Sequence, residues 1–249
     1  MASHGFESLG DALKRIGVTL PDPLDALFDE QEPAPVVGCS GCRDVGWVSR
    51  RGVAVECPCG LVSQRRTERV FAMSQVPLMM RCWTLQSFAD RAQQHQLAAD
   101  IRAAWDTTDR WLLLTGPVGV GKTGIAVSLL NEHLARGDGG LYVVAPTLLE
   151  RIRSTYDADE KISESTVMSA LTQTPLLLLD DLGKVKLTEW GQEKLYTLIS
   201  ERYGAQRRTI VTSNFGVADG TLEAHLWPAT FDRLRGASEL FEITGDSLR

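Results

Sequence analysis

The sequence has no apolar run long enough to cross a membrane. A membrane-spanning helix needs about 20 consecutive apolar residues, and none of the 249 residues belongs to such a run. The polar N-terminal stretch also lacks the basic and then apolar layout of a secretory signal peptide. These absences predict a cytoplasmic protein that has no membrane partner.

An excess of basic residues is also missing. The 26 Lys and Arg are outnumbered by 32 Asp and Glu, so the formal net charge is −6 at pH 7. This balance argues against binding of nucleic acid through overall charge, and a DNA contact would need a local basic surface. The four histidines share no metal-ligand spacing. With 43% apolar and 23% charged residues, the chain has the composition of a globular protein.

Charge, cysteine content and periodicity divide the chain into three parts. Residues 1–38 carry seven acidic and two basic residues, with a short amphipathic stretch followed by four prolines. This pattern predicts a helix on a tether, which either packs on the rest of the chain or docks into a partner's groove. Residues 39–74 hold four cysteines and a connecting helix from residue 65 to 73. Residues 75–249 alternate strand and helix patterns, typical of a single α/β domain.

A strand leads directly into a glycine-rich loop and a helix between residues 111 and 124. Gly116-Pro-Val-Gly-Val-Gly-Lys122-Thr123 matches the Walker A pattern G-x4-G-K-[ST] in that setting. Backbone N–H groups of such a loop bind phosphates, the lysine reaches the β and γ oxygens, and the hydroxyl ligates Mg²⁺. A glycine-rich turn without a ligand is the alternative. The predicted ATP or ADP site consists of Gly116, Pro117, Val118, Gly119, Val120, Gly121, Lys122, Thr123 and Gly124.

Polar residues follow two further apolar strands. Asp180 and Asp181 come directly after Leu176–Leu179. We expect Asp180 to hold Mg²⁺ through water together with Thr123, and Asp181 to orient or deprotonate the attacking water. The alternative for Asp181 is a strand-end turn. Asn214 follows the strand Thr209–Thr212, where it would sense the γ-phosphate or the attacking water, or else close an Asx turn.

Charge on the transferring phosphoryl group calls for a further cation near the site. The stretch Phe231-Asp-Arg-Leu-Arg-Gly offers Arg233 and Arg235. An arginine supplied by a neighbouring subunit would make hydrolysis depend on assembly, whereas two solvated arginines on a surface helix are the alternative. Since only 35 residues follow Asn214, we expect no C-terminal helical lid.

Four cysteines form two close pairs that are separated by a loop. Cys39, Cys42, Cys57 and Cys59 have the spacing of a structural zinc site, and unliganded thiols are the alternative. The segment between the pairs predicts a hairpin that turns at Gly52. Six arginines surround Trp47 in this part of the chain, where they would contact a DNA backbone, an acidic protein face or only solvent. These are Arg43, Arg50, Arg51, Arg65, Arg66 and Arg69.

Secondary-structure patterns extend over the rest of the chain. Strands are expected at Trp111–Leu114, Leu141–Val144, Leu176–Leu179, Thr209–Thr212 and Glu239–Thr244. Helices are expected at Ala89–Trp105, from 122 to 136 with a stop at Gly137, after a Thr147 and Glu150 capping box, and from Thr188 to Gly204. Short apolar strands between helices predict a five-stranded parallel sheet that is covered on both faces and binds ligands at its carboxyl edge.

Together these motifs resemble the bacterial helicase-loader family, the DnaC/DnaI-like AAA+ ATPases, and the related IstB-like ATPases. The resemblance runs from about residue 39 to the C-terminus. It rests on Cys39–Trp47 with Cys57-Pro-Cys59, Pro77–Phe88, Gly116–Thr123, Leu179–Gly183, Leu195–Tyr203, Thr209–Asn214 and Asp232–Arg235.

The resemblance implies a lidless AAA+ ATPase that binds a DnaB-type replicative helicase and delivers it onto single-stranded DNA. It also implies a homo-oligomer in the ATP state or on the helicase, with the helicase docking on the N-terminal region. Arg233 matches the family's arginine finger, and Arg249 is similar to its second sensor. Because many relatives have Glu where this chain has Asp181, the resemblance implies slow, switch-like hydrolysis. An IstB-like transposition helper that binds DNA and recruits a transposase is the alternative, and the zinc hairpin favours the loader.

Overall fold

The structure, a computed structural model, describes residues 38–156, 163–183 and 187–248. The predicted N-terminal helix and the second-sensor role of Arg249 therefore lie outside the described residues. The elements in chain order are β1 (Trp47–Arg50), β2 (Val53–Glu56), α1 (Leu61–Met73), α2 (Leu85–Ala92), α3 (His95–Thr107), β3 (Trp111–Thr115), α4 (Lys122–Ala135), β4 (Gly140–Val144), α5 (Ala145–Ser154), α6 (Glu164–Gln173), β5 (Leu176–Leu182), α7 (Glu189–Gly204), β6 (Arg208–Ser213), α8 (Thr221–His225), α9 (Pro228–Ala237) and β7 (Ser238–Glu242).

The central sheet has five parallel strands in the order β4-β5-β6-β3-β7. This confirms the predicted five-stranded parallel sheet. In this order β6 lies between β3 and β5, so the strand that contains the two aspartates is not adjacent to the strand before the phosphate loop. The carboxyl ends of all five strands meet at one edge, where the loop begins.

The strands divide their apolar side chains between two hydrophobic clusters, one on each face of the sheet. Leu112 and Leu114 pack on the side of α2, α3 and α4. Leu113 and Val211 pack on the opposite side, which α5 to α9 cover. Burial on both faces explains why β3 and the first four residues of β5 are continuous apolar runs rather than alternating ones.

The N-terminal hairpin also agrees with the sequence. Strands β1 and β2 are antiparallel and pair Arg50 with Val53 across a two-residue turn. Both turn residues have positive φ angles, 53° at Arg51 and 81° at Gly52, as this type of hairpin turn requires. The connecting helix α1 begins at Leu61, four residues earlier than predicted.

Two predicted helices differ from the observed ones. The segment Ala89–Trp105 is not a single helix, because Gln93 adopts a left-handed conformation with φ 54° and separates α2 from α3. A capping box of Thr84 and Ser87 starts α2. No capping box starts α5, which begins at Ala145 directly after β4, so that Thr147 lies inside the helix. Helix α6 was not predicted at all.

The prediction for α7 is largely confirmed. The Thr188 hydroxyl accepts a hydrogen bond from the Gly191 N–H at 3.2 Å, and the helix ends at Gly204. Leu195 and Ile199 are buried, whereas Tyr203 is 51% exposed.

After β7 the chain returns over the phosphate loop. The Ile243 N–H donates to the Thr115 carbonyl at 2.7 Å, and the Leu248 N–H donates to the Gly119 carbonyl at 3.0 Å. Within the residues that the structure describes, this segment 243–248 contains no helix, so no helical lid covers the site. None of the described helices is both long and apolar enough to span a membrane.

Candidate nucleotide-binding site and cysteine cluster

A cavity of about 820 Å³ opens at the carboxyl edge of the sheet. Its wall includes residues from the phosphate loop, the two aspartates that follow Leu179, and Asn214. The fold thus brings together polar residues that the sequence places more than 90 positions apart. The opposite wall contains Trp83, Phe88 and Arg91, which the sequence analysis had not assigned to the site.

Six of the nine predicted loop residues line the cavity, namely Val118, Gly119, Gly121, Lys122, Thr123 and Gly124. Gly116 and Pro117 contribute carbonyl groups instead, which accept hydrogen bonds from the Lys122 ammonium group at 2.8 and 2.6 Å. Val120 is only 2% exposed and packs in the core. The lysine is therefore held inside the loop, where its charge can meet a phosphate group.

Two loop glycines are required by both backbone conformation and space. Gly116 has a φ of 135°, and a Cβ there would lie 2.0 Å from the Ile243 carbonyl oxygen. Gly119 has a φ of 91°, and its Cβ would lie 2.4 Å from the Ser247 hydroxyl oxygen. Any larger residue would thus displace the segment 243–248 from the loop.

Three hydroxyl groups converge on the buried carboxylate of Asp180. Thr123 donates to Oδ1 at 2.9 Å and Thr212 to the same atom at 2.5 Å, while Tyr142 donates to Oδ2 at 3.0 Å. Burial raises the pKa of Tyr142 above its ordinary value, and the negative charge of Asp180 raises it further. Tyr142 and Thr212 were not predicted as partners of Asp180, and both are buried residues within strands, β4 and β6.

The donor set at this point fits a magnesium ion. Mg²⁺ prefers hard oxygen ligands, and the Thr123 hydroxyl and the Asp180 carboxylate meet at the cavity wall. The threonine proton is donated to Asp180, which leaves the lone pairs of the hydroxyl oxygen available to a cation.

Asp181 lies at an irregularity in the sheet. The pairing of β5 with β6 shifts register between Leu179 and Leu182, and Asp181 adopts a left-handed conformation with φ 59°. Its N–H donates to the Thr212 hydroxyl at 3.0 Å, and its carboxylate accepts from the Asn214 amide at 3.3 Å. The bulge turns Asp181 toward the cavity while Leu182 returns to the core.

Arg233 is not brought to the cavity of its own chain. It lies on α9, where its guanidinium donates to the Ser200 hydroxyl at 2.7 Å and sits 4.6 Å from the centre of the Tyr196 ring. The hydrogen bond from Arg233 lowers the pKa of Tyr196. Arg233 is half-buried against α7, and Arg235 is exposed.

The four predicted zinc ligands do come together. Their sulfur atoms all lie within 4.8 Å of one another, with Cys39–Cys57 and Cys42–Cys59 distances of 3.7 Å. Tetrahedral zinc with Zn–S bonds of about 2.3 Å requires S–S distances of about 3.8 Å, so the cluster fits the ion. Hydrogen bonds with the Cys42 backbone lower the pKa of Cys39 to about 7, whereas burial and hydrogen bonds with the neighbouring thiols raise the pKa of Cys57 and of Cys59.

A family model described as IstB-like ATP binding protein matches residues 52–249 of this chain. The chain belongs to this family. The ATP-binding protein of insertion sequence IS1162 from Pseudomonas fluorescens is 30% identical over 205 residues, which make up 82% of this chain and 79% of that protein. The replicative helicase loader DnaI of Bacillus subtilis is 27% identical over 128 residues, half of this chain and 40% of DnaI.

Solved structures show the same fold. The crystal structure of the DnaC helicase loader superposes with a TM-score of 0.54 and 25% identity, covering 61% of this chain and 90% of that one. The family match and the fold together establish this IstB-like protein as an ATP-binding AAA+ ATPase. Its relatives are divided between insertion-sequence ATP-binding proteins and helicase loaders.

The family match begins inside the hairpin of this IstB-like protein. Cys39 and Cys42 therefore precede the matched range, whereas Cys57 and Cys59 lie within it. Five of the six arginines in this part of the chain are exposed, namely Arg43, Arg50, Arg51, Arg66 and Arg69. Arg65 is half-buried and donates to the Asp44 carbonyl at 3.5 Å, while the exposed Arg66 donates to the Gly137 carbonyl at 2.8 Å.

Proposed function

We propose that this chain is a helicase loader, which binds a DnaB-type replicative helicase and delivers it onto single-stranded DNA under the control of ATP. The observation that supports this choice best is the cysteine-held hairpin immediately before a lidless ATPase fold. That combination resembles DnaI-type loaders more than IstB-like ATPases. The similarity to DnaI and DnaC also favours this function.

The cavity residues have distinct proposed tasks. Backbone N–H groups of Gly116–Gly124 and the Lys122 ammonium group bind the phosphates of ATP. Thr123 and Asp180 hold Mg²⁺, which supplies charge neutralisation to the β- and γ-phosphates when bound. Asp181 orients or deprotonates the attacking water, and Asn214 senses the γ-phosphate through its hydrogen bond to Asp181. The aspartate side chain is one carbon shorter than glutamate, which fits slow, switch-like hydrolysis.

Arg233 acts on a neighbouring subunit. It lies on α9, away from its own cavity, and Ser200 and Tyr196 hold its guanidinium on α7. Because Arg233 is not among the residues that line its own cavity, a second copy would supply this arginine, so homo-oligomerisation and hydrolysis are coupled.

The three-part organisation of the chain follows from the same proposal. Residues 39–74 form a hairpin domain around Zn²⁺ bound by Cys39, Cys42, Cys57 and Cys59, and residues 75–249 form the ATPase domain. Residues 1–38 dock the helicase, in keeping with their acidic and amphipathic sequence.

Co-purification with candidate DnaB-type helicases tests the loader directly. The tagged chain and each helicase are mixed with ATP, with ADP and without nucleotide, and then separated by size. We expect a stable complex whose yield depends on the nucleotide, and the Lys122→Ala variant should lose that dependence. If no helicase of the host or of a resident phage co-elutes in any nucleotide state, the loader proposal fails.

A second candidate is a transposition helper ATPase. Its support is the family match over residues 52–249 together with the relatives from insertion sequences. This function predicts ATP-dependent assembly on duplex DNA and binding of a transposase. Electron microscopy of the chain with duplex DNA separates the two functions, because filaments on duplex DNA without helicase binding would favour the transposition helper.

A further inference from the structure

We infer that Tyr142 is a positioning residue that orients Asp180 and thereby sets how much Mg²⁺ the site needs to bind ATP. This inference rests on the proposed role of Asp180 as the carboxylate that holds the ion. It assigns a task to a side chain outside the phosphate loop and outside the aspartate and asparagine motifs.

The position of Tyr142 is fixed by the edge of the sheet. Its backbone N–H donates to the Ser74 carbonyl at 2.8 Å, and strand pairing places it beside Leu178. Residues two apart on a strand point to the same face, so Tyr142 and Asp180 share the face that α4 covers. Tyr142 is 9% exposed. Asp180 lies two residues beyond Leu178, the strand partner of Tyr142, and the length of the tyrosine side chain allows its hydroxyl to reach the Asp180 carboxylate.

The two oxygens of Asp180 have different partners. Oδ1 accepts from Thr123 and Thr212, while the contact at Oδ2 is the Tyr142 hydroxyl at 3.0 Å. A phenol has an ordinary pKa of about 10, so Tyr142 is a permanent donor at physiological pH. Donors on both oxygens restrict rotation of the carboxylate, which keeps its remaining lone pairs directed into the cavity.

A purely structural role for Tyr142 makes a different prediction. The ring packs in the cluster that contains Leu176 and Leu178, and phenylalanine would provide the same packing. The hydroxyl is the group that donates the hydrogen bond to Asp180. A variant that loses the hydroxyl and keeps the ring therefore separates positioning from packing.

The test compares Tyr142→Phe with Tyr203→Phe, whose side chain is 51% exposed. Binding of a fluorescent, non-hydrolysable ATP analogue is titrated against free Mg²⁺ and repeated in excess chelator. For Tyr142→Phe we expect a rise of about tenfold in the half-saturating Mg²⁺ concentration, the effect of one charge-assisted hydrogen bond. Affinity for the analogue in chelator and the thermal unfolding midpoint should stay close to those of Tyr203→Phe.

A double-mutant cycle with Asp180→Asn provides a second measurement. If Tyr142 acts through Asp180, the Tyr142→Phe change should have little further effect on Mg²⁺ dependence once Asp180 is altered. Unchanged Mg²⁺ dependence in Tyr142→Phe, or fully additive effects in the cycle, would overturn the inference.

The Lys122→Ala variant distinguishes failure of the Tyr142 inference from failure of the proposed nucleotide site. If Lys122→Ala binds the analogue normally, the proposed nucleotide site is wrong. If Lys122→Ala loses binding and Tyr142→Phe keeps wild-type Mg²⁺ dependence, the site stands and only the role of Tyr142 is rejected.

Discussion

Asp181 combines a strained backbone with a side chain that faces the cavity. A residue other than glycine with a positive φ costs about 1 kcal/mol or more, and at Asp181 the bulge of β5 imposes this conformation. The sequence analysis offered a strand-end turn and an active-site acid as alternatives. The strand-end turn is wrong, because β5 continues to Leu182 and Asp181 lies at the bulge within it. The bulge places the carboxylate beside Asn214 at the cavity, so the role of an active-site acid stays a prediction.

The Lys122→Ala substitution is expected to weaken ATP binding by roughly 100-fold, because it removes charge-assisted hydrogen bonds to the phosphates worth about 3 kcal/mol. Isothermal titration calorimetry with a non-hydrolysable analogue measures the change. Lys194→Ala is the control, because Lys194 pairs with Glu164 at 2.7 Å on α7 and α6 and does not line the cavity. Equal affinities in the two variants would refute the assignment of the phosphate site.

Arg202 connects three elements through a fully buried guanidinium. It donates to the Leu171 and Thr174 carbonyls at the end of α6, and to the Arg208 carbonyl and the Thr209 hydroxyl at the start of β6. Burial lowers its pKa to about 9. The cationic donor lies beside the carbonyl groups that end α6, where the helix dipole favours positive charge.

The Arg202→Met substitution should lower the free energy of unfolding by about 3 kcal/mol, because several buried acceptors lose their donor. Urea denaturation measures the loss. Arg207→Met provides the control at an exposed neighbouring position and should change stability by less than about 0.5 kcal/mol. Similar values for both variants would show that the guanidinium network contributes little.

The hairpin of β1 and β2 has a small core, and the cysteine cluster holds its base. The Cys42→Ser substitution is expected to reduce the zinc content from one ion per chain and to expose the hairpin to protease, because so small a unit depends on its metal. Metal analysis and limited proteolysis measure both effects. Cys82→Ser is the matched control, since Cys82 is exposed and lies outside the cluster. Well under one zinc ion in the wild-type protein would contradict the zinc assignment.

At the scale of the whole molecule, the proposed active site would belong to two subunits. Arg233 contacts Ser200 and Tyr196 on α7 and is not among the residues that line the cavity of its own chain. Activity should therefore depend on protein concentration as well as on ATP.

Arg233→Ala should lower ATP hydrolysis by at least about tenfold while ATP affinity is retained, because an arginine supplied in trans stabilises the transition state rather than the bound nucleotide. Arg235→Ala, an exposed neighbour on α9, should have a small effect. Mixing Arg233→Ala with Asp181→Asn protein should restore part of the activity, since some interfaces then contain both intact residues. No recovery on mixing, with oligomers still forming, would argue against the arrangement in trans.

Local motifs predicted much of the fold and of the candidate site. Gly116–Thr123 was identified from its sequence because a phosphate loop needs contiguous residues in a fixed order between a strand and a helix. Strands such as β3 and β5 were predicted for a similar reason, because burial on both faces makes each of them an apolar run that can be recognised by itself, whereas the edge strand β7 is partly exposed. The sequence did not predict that Gln93 divides the helix expected at Ala89–Trp105, nor that α5 begins at Ala145 rather than at Thr147. Backbone conformation at both places follows from tertiary packing.

By itself, the sequence determined which chemical groups the protein brings to its site, because the phosphate loop, the paired aspartates and the cysteine pairs are short patterns of contiguous or closely spaced residues. Tertiary structure alone decided that β6 lies between β3 and β5, that Tyr142 and Thr212 bind Asp180, and that Arg233 contacts Ser200 and does not line its own cavity. These contacts join residues 30 or more positions apart. They depend on the order of strands in the sheet, which the local pattern of apolar and polar residues does not encode.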